Sequence, residues 1–219
     1  MSLSSAPQGL QRIAAHQSQP RHRHDAGYAA LVISGGYEES GRCGRVRAQA
    51  GDVIFHNAFE GHGDHIGPVG AVILNLRLHA PVEMAFARCR DVDAVLRCRD
   101  AREAALQLGA LCEAVEPAPR DWPDALVADL WRDAGLTLSD WADGHGLSAE
   151  TLSRGVKRLY GVTPARLRGE IRAHKAWIRI VRDGAPLASI AAETGFADQA
   201  HMSRAVALLT GRPPGQWRQ

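Results

Sequence analysis

One short sequence pattern occurs twice in the last third of the chain, and it constrains the fold more than any other feature. Leu-Ser-Arg-Gly-Val at residues 152–156 returns as Met-Ser-Arg-Ala-Val at residues 202–206. Both copies continue in register through a leucine, a glycine and a proline, at positions 159, 161 and 164 and then at 209, 211 and 214. Because a repeat at one fixed offset indicates a duplicated structural unit, the sequence predicts two copies of one supersecondary element.

Each copy follows a short apolar segment that ends in a turn containing glycine. A helix, a tight turn and a second helix that carries Ser-Arg on its outer face form the pattern of a helix-turn-helix. We therefore predict two such motifs. The apolar positions are Leu138, Trp141 and Ala142 before Gly144 and Gly146 in the first motif, and Leu187, Ile190 and Ala191 before Gly195 in the second.

Helix start and stop signals predict the remaining helices of this region. We expect a first helix over residues 122–131, and a long helix from Pro164 to about Asp183 between the two motifs. At 1.5 Å per residue the long helix spans roughly 30 Å, close to the ~34 Å between successive major-groove faces on one side of B-DNA. The spacing therefore permits one chain to enter two adjacent groove segments. The predicted N-caps are Thr137 (with Asp140), Ser148 and Thr163, and the inward positions of the long helix are Leu167, Ile171, Ile178 and Val181.

The outer faces of the two second helices carry side chains that can read base edges. Arginine donates two hydrogen bonds to guanine, glutamine pairs with adenine, and glutamate accepts from cytosine. An alternative for Arg154 and Arg204 is an ion pair within the domain, for instance with a carboxylate of the preceding helix. The predicted base contacts are Glu150, Ser153, Arg154, Gln199, His201 and Arg204. The predicted phosphate contacts are Ser148, Lys157, Arg158, Thr163, Arg168 and Arg172.

The charge distribution is consistent with a nucleic-acid partner. Residues 148–219 hold 12 Lys and Arg against 5 Asp and Glu, whereas residues 1–147 hold 14 against 19. A basic C-terminal third joined to a mildly acidic remainder is typical of a DNA-binding domain attached to a domain with another task, although a solvated helical surface would also explain it. We expect a cytoplasmic protein with no membrane partner. The sequence has no secretory signal or spanning apolar run, and its four cysteines lack CxxC spacing.

The C-terminal ninety residues resemble the DNA-binding domain of AraC-type transcription regulators. The resemblance implies a bacterial regulator that acts at promoters and responds to an effector, with RNA polymerase as a further partner. The sequence departs from the family at His201 and Met202, where two aromatic residues are usual, and at Val206, where phenylalanine is usual. The matching residues are 147–148, 152–154, 160–164, 190–191, 195–199, 203–204, Gly211 and 217–218.

The first part of the chain has a sequence pattern typical of β-structure. Residues 1 to about 20 are expected to form a disordered or loosely attached arm. Apolar runs at 29–33, 53–55 and 71–76 are divided by glycine-rich turns. Several short strands with frequent turns predict a small barrel or sandwich.

Residues 20–80 also resemble a cupin domain. His22, His24, Tyr28 and Gly35 have the spacing of the first cupin motif, with tyrosine in place of the usual glutamate. Gly51 followed by His62 has the spacing of the second motif, although Asn57 and Phe59 stand where that motif has proline and glycine.

The histidines of this region predict a pocket. Strand alternation places His22 and His24 on one face, and a barrel can bring His62 beside them. Three imidazoles can hold Zn²⁺, Ni²⁺ or Fe²⁺ with a coordination position open, and a histidine-lined pocket without metal is the alternative. Tyr28 could be a weak fourth ligand or bond a bound molecule. The predicted effector pocket comprises His22, His24, Tyr28, His56, Glu60 and His62; the predicted metal ligands are His22, His24 and His62.

A helical segment joins the two regions. Ala101, Leu108 and Val115 belong to an apolar stripe at helical spacing, which we expect either to pack on the barrel or to pair with its copy in a homodimer. The prolines at 117 and 119 indicate a linker. The predicted class is α+β, with a cupin-like barrel or sandwich at 1–82, connecting helices at 83–119, and an all-α domain at 120–219 with two helix-turn-helix motifs joined by a long helix.

These features favour a DNA-binding transcription regulator with no catalytic activity, whose promoter binding is modulated by a small-molecule or metal ligand in the N-terminal domain. Two alternatives stay open. One is a metal-dependent cupin enzyme fused to a DNA-binding domain. The other is a direct sensor of metal or, given the many histidines, of protons.

Overall fold

The computed structural model describes residues 3–218 and divides the chain into two compact units, Met1–Arg120 and Asp121–Gln219. The first unit is built on a mixed nine-stranded sheet, and the second is helical. The predicted α+β class is thereby confirmed. Among residues 3–218, no helix combines the length and the apolar character needed to cross a membrane.

The described residues of the first unit contain nine strands. The predicted arm at residues 1–20 is wrong for its described part, because strands begin at Leu3; Met1 and Ser2 lie outside the described residues. The strands are β1 (Leu3–Ser4), β2 (Gly9–Ile13), β3 (Ser18–His24), β4 (Tyr28–Gly41), β5 (Gly44–Gln49), β6 (Asp52–His56), β7 (His62–Arg77), β8 (Phe86–Cys89) and β9 (Cys112–Ala114).

Two long strands hold the sheet together. β4 and β7 pair antiparallel along most of their length, from Tyr28 opposite Arg77 to Ser40 opposite Gly63. β7 also pairs with β2 and β3, and β4 also pairs with β5 and β6. One core cluster contains side chains from six strands: β2, β4, β5, β6, β7 and β8. The sheet therefore curls around an interior in the manner of a barrel.

The two faces of the sheet have separate cores. Inward side chains such as Val32, Ile54 and Ile73 form the interior cluster. The outer face carries Leu31 and Val53, and helical residues cover it. Period-two alternation along β4 and β6 explains this division, because successive residues of a strand point to opposite faces.

The predicted helical connector at residues 83–119 is instead an integral part of the first unit. It contributes β8 and β9 to the sheet and two helices, α1 (Val92–Leu96) and α2 (Ala101–Leu111). Ala104 and Leu108 of α2 are buried against the outer face of the sheet, so the predicted apolar stripe does pack on the barrel. The stripe ends at Leu111, since the next three residues form β9.

The second unit contains the predicted helical pattern. Each predicted helix is present, and the long helix joins the two helix-turn-helix motifs. The helices are α3 (Trp122–Arg132), α4 (Leu138–Gly144), α5 (Ala149–Tyr160), α6 (Pro164–Arg182), α7 (Leu187–Glu193) and α8 (Gln199–Thr210), followed by a 3₁₀ turn at Pro214–Gln216.

Capping residues set the helix boundaries. The Ser148 hydroxyl accepts from the backbone N–H of Thr151, and Thr163 does the same for Arg166, as predicted. Thr137 occupies the N-cap position of α4 but makes no side-chain capping bond, so that detail of the prediction is wrong. In the second motif Asp198 occupies the position of Ser148, and its side chain accepts a hydrogen bond from the backbone N–H of His201 at the start of α8.

The duplication extends to the helix ends. Gly161 and Gly211 occupy equivalent positions after α5 and α8, with φ of 70° and 77°. Each donates its N–H to the carbonyl four residues earlier, at Lys157 and Ala207. A residue without Cβ adopts this left-handed conformation without strain, which explains glycine in both copies.

The two copies differ at one packing position. Gly155 in α5 corresponds to Ala205 in α8, and a Cβ at position 155 would lie 2.4 Å from the Trp122 ring. Trp122 belongs to the hydrophobic cluster of the first motif. The glycine therefore makes room for α3 to pack against α5.

We expect Gly155→Ala to lower the free energy of unfolding by about 1–3 kcal/mol, because the added methyl group must displace the indole. Gly169→Ala is the matched control, since a Cβ at that position in α6 meets nothing within 4 Å. The control should raise stability by about 0.5–1 kcal/mol through helix propensity alone. Urea unfolding of the full chain measures both. Equal shifts for the two variants would contradict the packing role of Gly155.

Candidate functional site

The outer faces of α5 and α8 present the predicted base-reading side chains to solvent. Burial of Leu152 and Val156 in α5, and of Met202 and Val206 in α8, fixes which face of each helix points outward. The hydrophobic cores therefore aim the opposite faces away from the protein. On those faces Glu150, Arg154, Gln199, His201 and Arg204 are exposed, and Ser153 is half-buried.

Arg154 forms an ion pair within its domain, as the alternative interpretation of this residue has it, but the carboxylate belongs to its own helix. Its Nη1 lies 3.3 Å from Oε1 of Glu150, one turn earlier in the same helix. Both side chains are more than 70% exposed, at 73% and 74%. A surface pair of this kind contributes little to stability, so it leaves the guanidinium available to another acceptor.

The predicted phosphate contacts fall into two groups. Lys157 and Arg158 are exposed in the last turns of α5, and Ser148 and Thr163 are exposed N-caps of α5 and α6. Backbone N–H groups at a helix N-terminus can bind a phosphate oxygen. These four residues stay predicted DNA contacts.

Arg168 and Arg172 have a structural role that the sequence prediction missed. Nη1 of Arg168 donates to the Leu136 carbonyl at 3.2 Å, and Nε of Arg172 donates to the Ala134 carbonyl at 2.7 Å. Lys175 follows at helical spacing and donates to the Trp131 carbonyl at 2.7 Å. This row on α6 satisfies carbonyls at and beyond the C-terminal end of α3, which have few backbone partners. Both arginines stay predicted phosphate contacts, and these bonds to carbonyls are a further role beside that one.

The interior of the first unit contains a cavity of about 120 Å³. Its wall combines apolar side chains from the interior core with a concentration of polar groups on β3, β4, β6 and β7. Of the predicted effector residues, His22, His24, Tyr28 and His56 line it. The sequence prediction missed Gln11, Gln19, Tyr37, Glu39, Asp64 and Asn75, which line it as well.

The imidazoles lie close together, as the spacing of the histidines predicts. Ligand nitrogens of His22, His24 and His62 lie within 4.8 Å of one another. The His56 ring centroid is 4.3 Å from that of His62, so these two residues share the interior face. The Tyr28 hydroxyl is 3.3 Å from Nε2 of His62.

Two of the imidazoles are oriented by backbone carbonyls. Nδ1 of His22 is 3.0 Å from the Pro20 carbonyl, and Nδ1 of His24 is 3.0 Å from the Ser5 carbonyl. A carbonyl can only accept, so each Nδ1 carries the proton when it makes this bond. The Nε2 atoms are then left with lone pairs, as in histidines that bind metal ions.

Burial keeps the innermost imidazoles neutral. Desolvation, and to a smaller extent the neighbouring His24 and His22, lower the pKa of His56 to about 3. The pKa of His62 is well below its ordinary value for the same reasons, and that of the half-buried His24 is also lowered, mainly by desolvation. Neutral imidazoles are the form that accepts hydrogen bonds or coordinates a cation.

Three carboxyl groups lie near these imidazoles: Glu39 and Glu60 are buried, and Asp64 is half-buried. Desolvation raises the pKa of Glu39 well above its ordinary value, and the charges of Asp64 and Glu60 add to that shift. Desolvation also raises the pKa of Glu60 and of Asp64, each to about 7. Glu60 is buried but is not part of the cavity wall.

Several buried polar atoms around the cavity make no hydrogen bond. Leaving a buried polar atom unpaired costs about 1–3 kcal/mol, so most proteins pair nearly all of them. A cluster of unpaired atoms therefore indicates a place where a bound species completes the hydrogen bonding. Those atoms are Glu39 Oε2, His56 Nδ1, Glu60 Oε2, His62 Nδ1 and Asp64 Oδ1.

Comparisons with known proteins address the second unit most directly. The family model described as a helix-turn-helix domain, of the AraC type, matches residues 141–219. No curated protein matches the chain. The C-terminal domain of AraT, a response regulator from Geobacillus stearothermophilus, is 26% identical over 44% of this chain and 82% of its own, with a TM-score of 0.41.

Two further solved structures are more distant in sequence. ToxT from Vibrio cholerae is 10% identical, covering 98% of both chains with a TM-score of 0.45. The DNA-binding domain of AdpA in complex with a target DNA is 18% identical over 45% of this chain and 90% of its own, with a TM-score of 0.43.

Two helix-turn-helix units with exposed outer faces define the second unit as a DNA-binding domain. The family match makes this assignment specific, because it spans the second helix-turn-helix and most of the first. Residues 141–219 are an AraC-type helix-turn-helix domain, and the protein is a DNA-binding transcription regulator.

We expect Arg154→Ala to weaken binding to the cognate DNA by about 1–3 kcal/mol and to relax the preference at one base pair, because a base-reading arginine is lost. Lys157→Ala should weaken binding to all sequences alike and reduce the salt dependence, as a phosphate contact would. Fluorescence anisotropy at fixed salt with single base-pair variants of the site separates the two outcomes. A uniform loss for Arg154→Ala would reassign that residue to phosphate.

Proposed function

We propose that this regulator changes its affinity for promoter DNA, or its activity there, when a ligand binds in the cavity of the first unit. The observation that carries the proposal is the set of unpaired buried polar atoms around that cavity. A ligand that binds only the folded state stabilises it by mass action, so such a site can bias the conformation of the protein.

We further propose that a divalent metal ion, Zn²⁺, Ni²⁺ or Fe²⁺, is held by His22, His24 and His62. Zn–N bonds of about 2.0–2.1 Å place tetrahedral nitrogens ~3.4 Å apart, which the three imidazoles reach from 4.8 Å by small side-chain rotations. The carbonyl-bound Nδ1 atoms of His22 and His24 support this assignment, since metal-binding histidines are oriented in this way. Three protein ligands leave a coordination position open for a small molecule, so the effector is either the ion itself or a ligand of that ion.

The proposed role is binding without turnover. The small cavity and the DNA-binding domain in the same chain support a sensor, which acts in the cytoplasm where bacterial promoters lie. RNA polymerase is a proposed partner at the promoter. A second copy of the chain is another, and it is supported by Leu96 and Leu106, which are 44% and 71% exposed on α1 and α2.

DNA binding is tested with the full chain and a fragment of its own upstream region. We expect a specific complex that survives ~150 mM salt and excess competitor DNA, because base contacts add to the salt-sensitive phosphate contacts. The same fragment with scrambled sequence is the control. Equal affinity for both fragments would contradict a sequence-specific regulator.

The metal site is tested by elemental analysis of protein purified without a histidine tag and then titrated with Zn²⁺. We expect one ion per chain, lost when His22, His24 and His62 are all replaced by alanine, and an affinity for the upstream fragment that changes when the ion is removed. His79→Ala is the control, because His79 is exposed. Turnover of a small substrate by the metal-loaded chain would favour an enzyme instead of a sensor.

A further inference from the structure

Two of the four cysteines lie opposite each other on neighbouring strands. Cys89 of β8 and Cys112 of β9 are register partners in the antiparallel pair, and both are free thiols in this structure. One residue further along, the Arg90 N–H donates to the carbonyl of Leu111, which continues the same register. Hydrogen-bonded and non-hydrogen-bonded pairs alternate along an antiparallel ladder, so Cys89 and Cys112 form a non-hydrogen-bonded pair.

This kind of pair has the separation that a disulfide bond requires. The Cα atoms of a non-hydrogen-bonded pair are about 4.5 Å apart, closer than those of a hydrogen-bonded pair. Disulfides join cysteines whose Cα atoms are about 4.4–6.8 Å apart. Both side chains pack in the same apolar cluster on the outer face of the sheet, so they lie on the same side of the two strands. The two sulfurs can therefore be joined without a movement of the backbone.

The two thiols differ in their access to solvent. Cys89 is only 5% exposed, whereas Cys112 is half-buried. A dissolved oxidant therefore reaches Cys112 first. Cys89 needs no such access, because its reaction partner is the sulfur opposite it on the neighbouring strand.

We propose that Cys89 and Cys112 are a modification site at which a low-molecular-weight disulfide, such as oxidised glutathione, produces a reversible disulfide bond between β8 and β9. The Cys112 sulfur loses its proton, attacks one sulfur of oxidised glutathione and releases one molecule of reduced glutathione. The Cys89 sulfur then loses its proton, attacks the Cys112 sulfur and releases the second molecule. The two cysteines together lose two electrons and two protons, and one glutathione disulfide becomes two thiols.

Burial makes this reaction slow. Desolvation, and to a smaller extent the neighbouring Cys89, raise the pKa of Cys112 to about 12. The thiolate is the form that attacks a disulfide, so few molecules are reactive at neutral pH. Reducing compartments keep such pairs as thiols. The site therefore responds to sustained oxidation and not to a brief pulse of oxidant.

The bond acts on a short strand at the end of the sheet. β9 has three residues, and it pairs with β8 at the end of the strand order. Helices α1 and α2 lie between the two cysteines in the sequence, so the bond closes a loop that contains both. A cross-link of this kind stabilises a fold mainly because it restricts the unfolded chain. Oxidation therefore holds β9 on β8 and stabilises the first unit.

The test uses the tag-free full-length chain, incubated with excess oxidised glutathione. We expect the wild type to lose two of its four thiols, to retain no glutathione at these two positions, and to run as a single chain on a non-reducing gel. Dithiothreitol should restore the two thiols. The urea midpoint of the oxidised chain should be higher than that of the reduced chain, and this comparison needs no variant.

Three alanine variants assign the bond. Trypsin releases Cys89 and Cys98 as the same dipeptide, Cys-Arg, so peptide masses alone do not distinguish them. Cys89→Ala should retain glutathione on Cys112, because the second step has lost its thiol. Cys112→Ala should form no disulfide and take up no glutathione at the buried Cys89. Cys98→Ala is the matched control: its side chain packs in the same cluster, and the variant should form the bond as the wild type does.

The opposite results would overturn the proposal. Four thiols that persist in the oxidised wild type would exclude the bond. A disulfide that survives in Cys89→Ala or Cys112→Ala, or that disappears in Cys98→Ala, would show that other cysteines form it. An oxidised chain that resists urea no better than the reduced chain would overturn the stabilising role of the bond.

Discussion

Helix α6 is the element on which the DNA-binding domain depends, because both helix-turn-helix motifs pack against the same 19 residues. Leu167 and Ile171 near its start belong to the core of the first motif. Further along, α6 packs against α7 and α8 of the second motif. A rigid helix of about 28 Å thus fixes the distance between the two motifs along its axis.

Polar contacts add to the packing of this helix. The Arg168, Arg172 and Lys175 row bonds three carbonyls of the segment that leaves α3. A Cβ on Gly195, in the turn of the second motif, would lie 2.3 Å from one of those carbonyls, at Ala134. One short segment therefore contacts both α6 and the second turn. These three cations therefore contribute to the fold of the domain.

The helical unit could be predicted from local signals. Helix caps, glycine turns and a repeat at a fixed offset can all be recognised in the sequence without knowledge of the tertiary fold. The partners of Arg168 and Arg172 could not be predicted, because periodicity gives the face of a helix but not what covers it. The inward face of α6 was also misplaced near its end, where Trp177 and Ile180 are buried and the predicted Ile178 and Val181 are only half-buried.

Prediction from the sequence reaches a different limit in the sheet. Spacing alone predicts that His22, His24 and His62 meet, because alternation on one strand and a second strand nearby are enough. Glu39 could not be found in the same way. At the start of β4 the even-numbered residues, such as Tyr28, face the interior. The pairing of β4 with β7 is irregular between residues 32 and 34 and between 35 and 37. After these irregularities the odd-numbered residues face the interior, so Glu39 does so instead of Glu38. The strands before residue 20 escaped prediction because their side chains are mostly exposed and show no regular alternation of apolar and polar residues.

Because of this change of face, two adjacent residues of β4 connect the cavity wall to the end of the first unit. Glu39 lines the cavity, while Glu38, the preceding residue on β4, holds Arg120 at 2.6 Å. Arg120 is the last residue of the first unit, directly before the DNA-binding domain. Adjacent residues of a strand share one planar peptide group, so β4 cannot move at Glu39 without moving Glu38. The end of the linker is thus attached to the strand that carries a wall of the cavity, and this connection requires no contact between the two units.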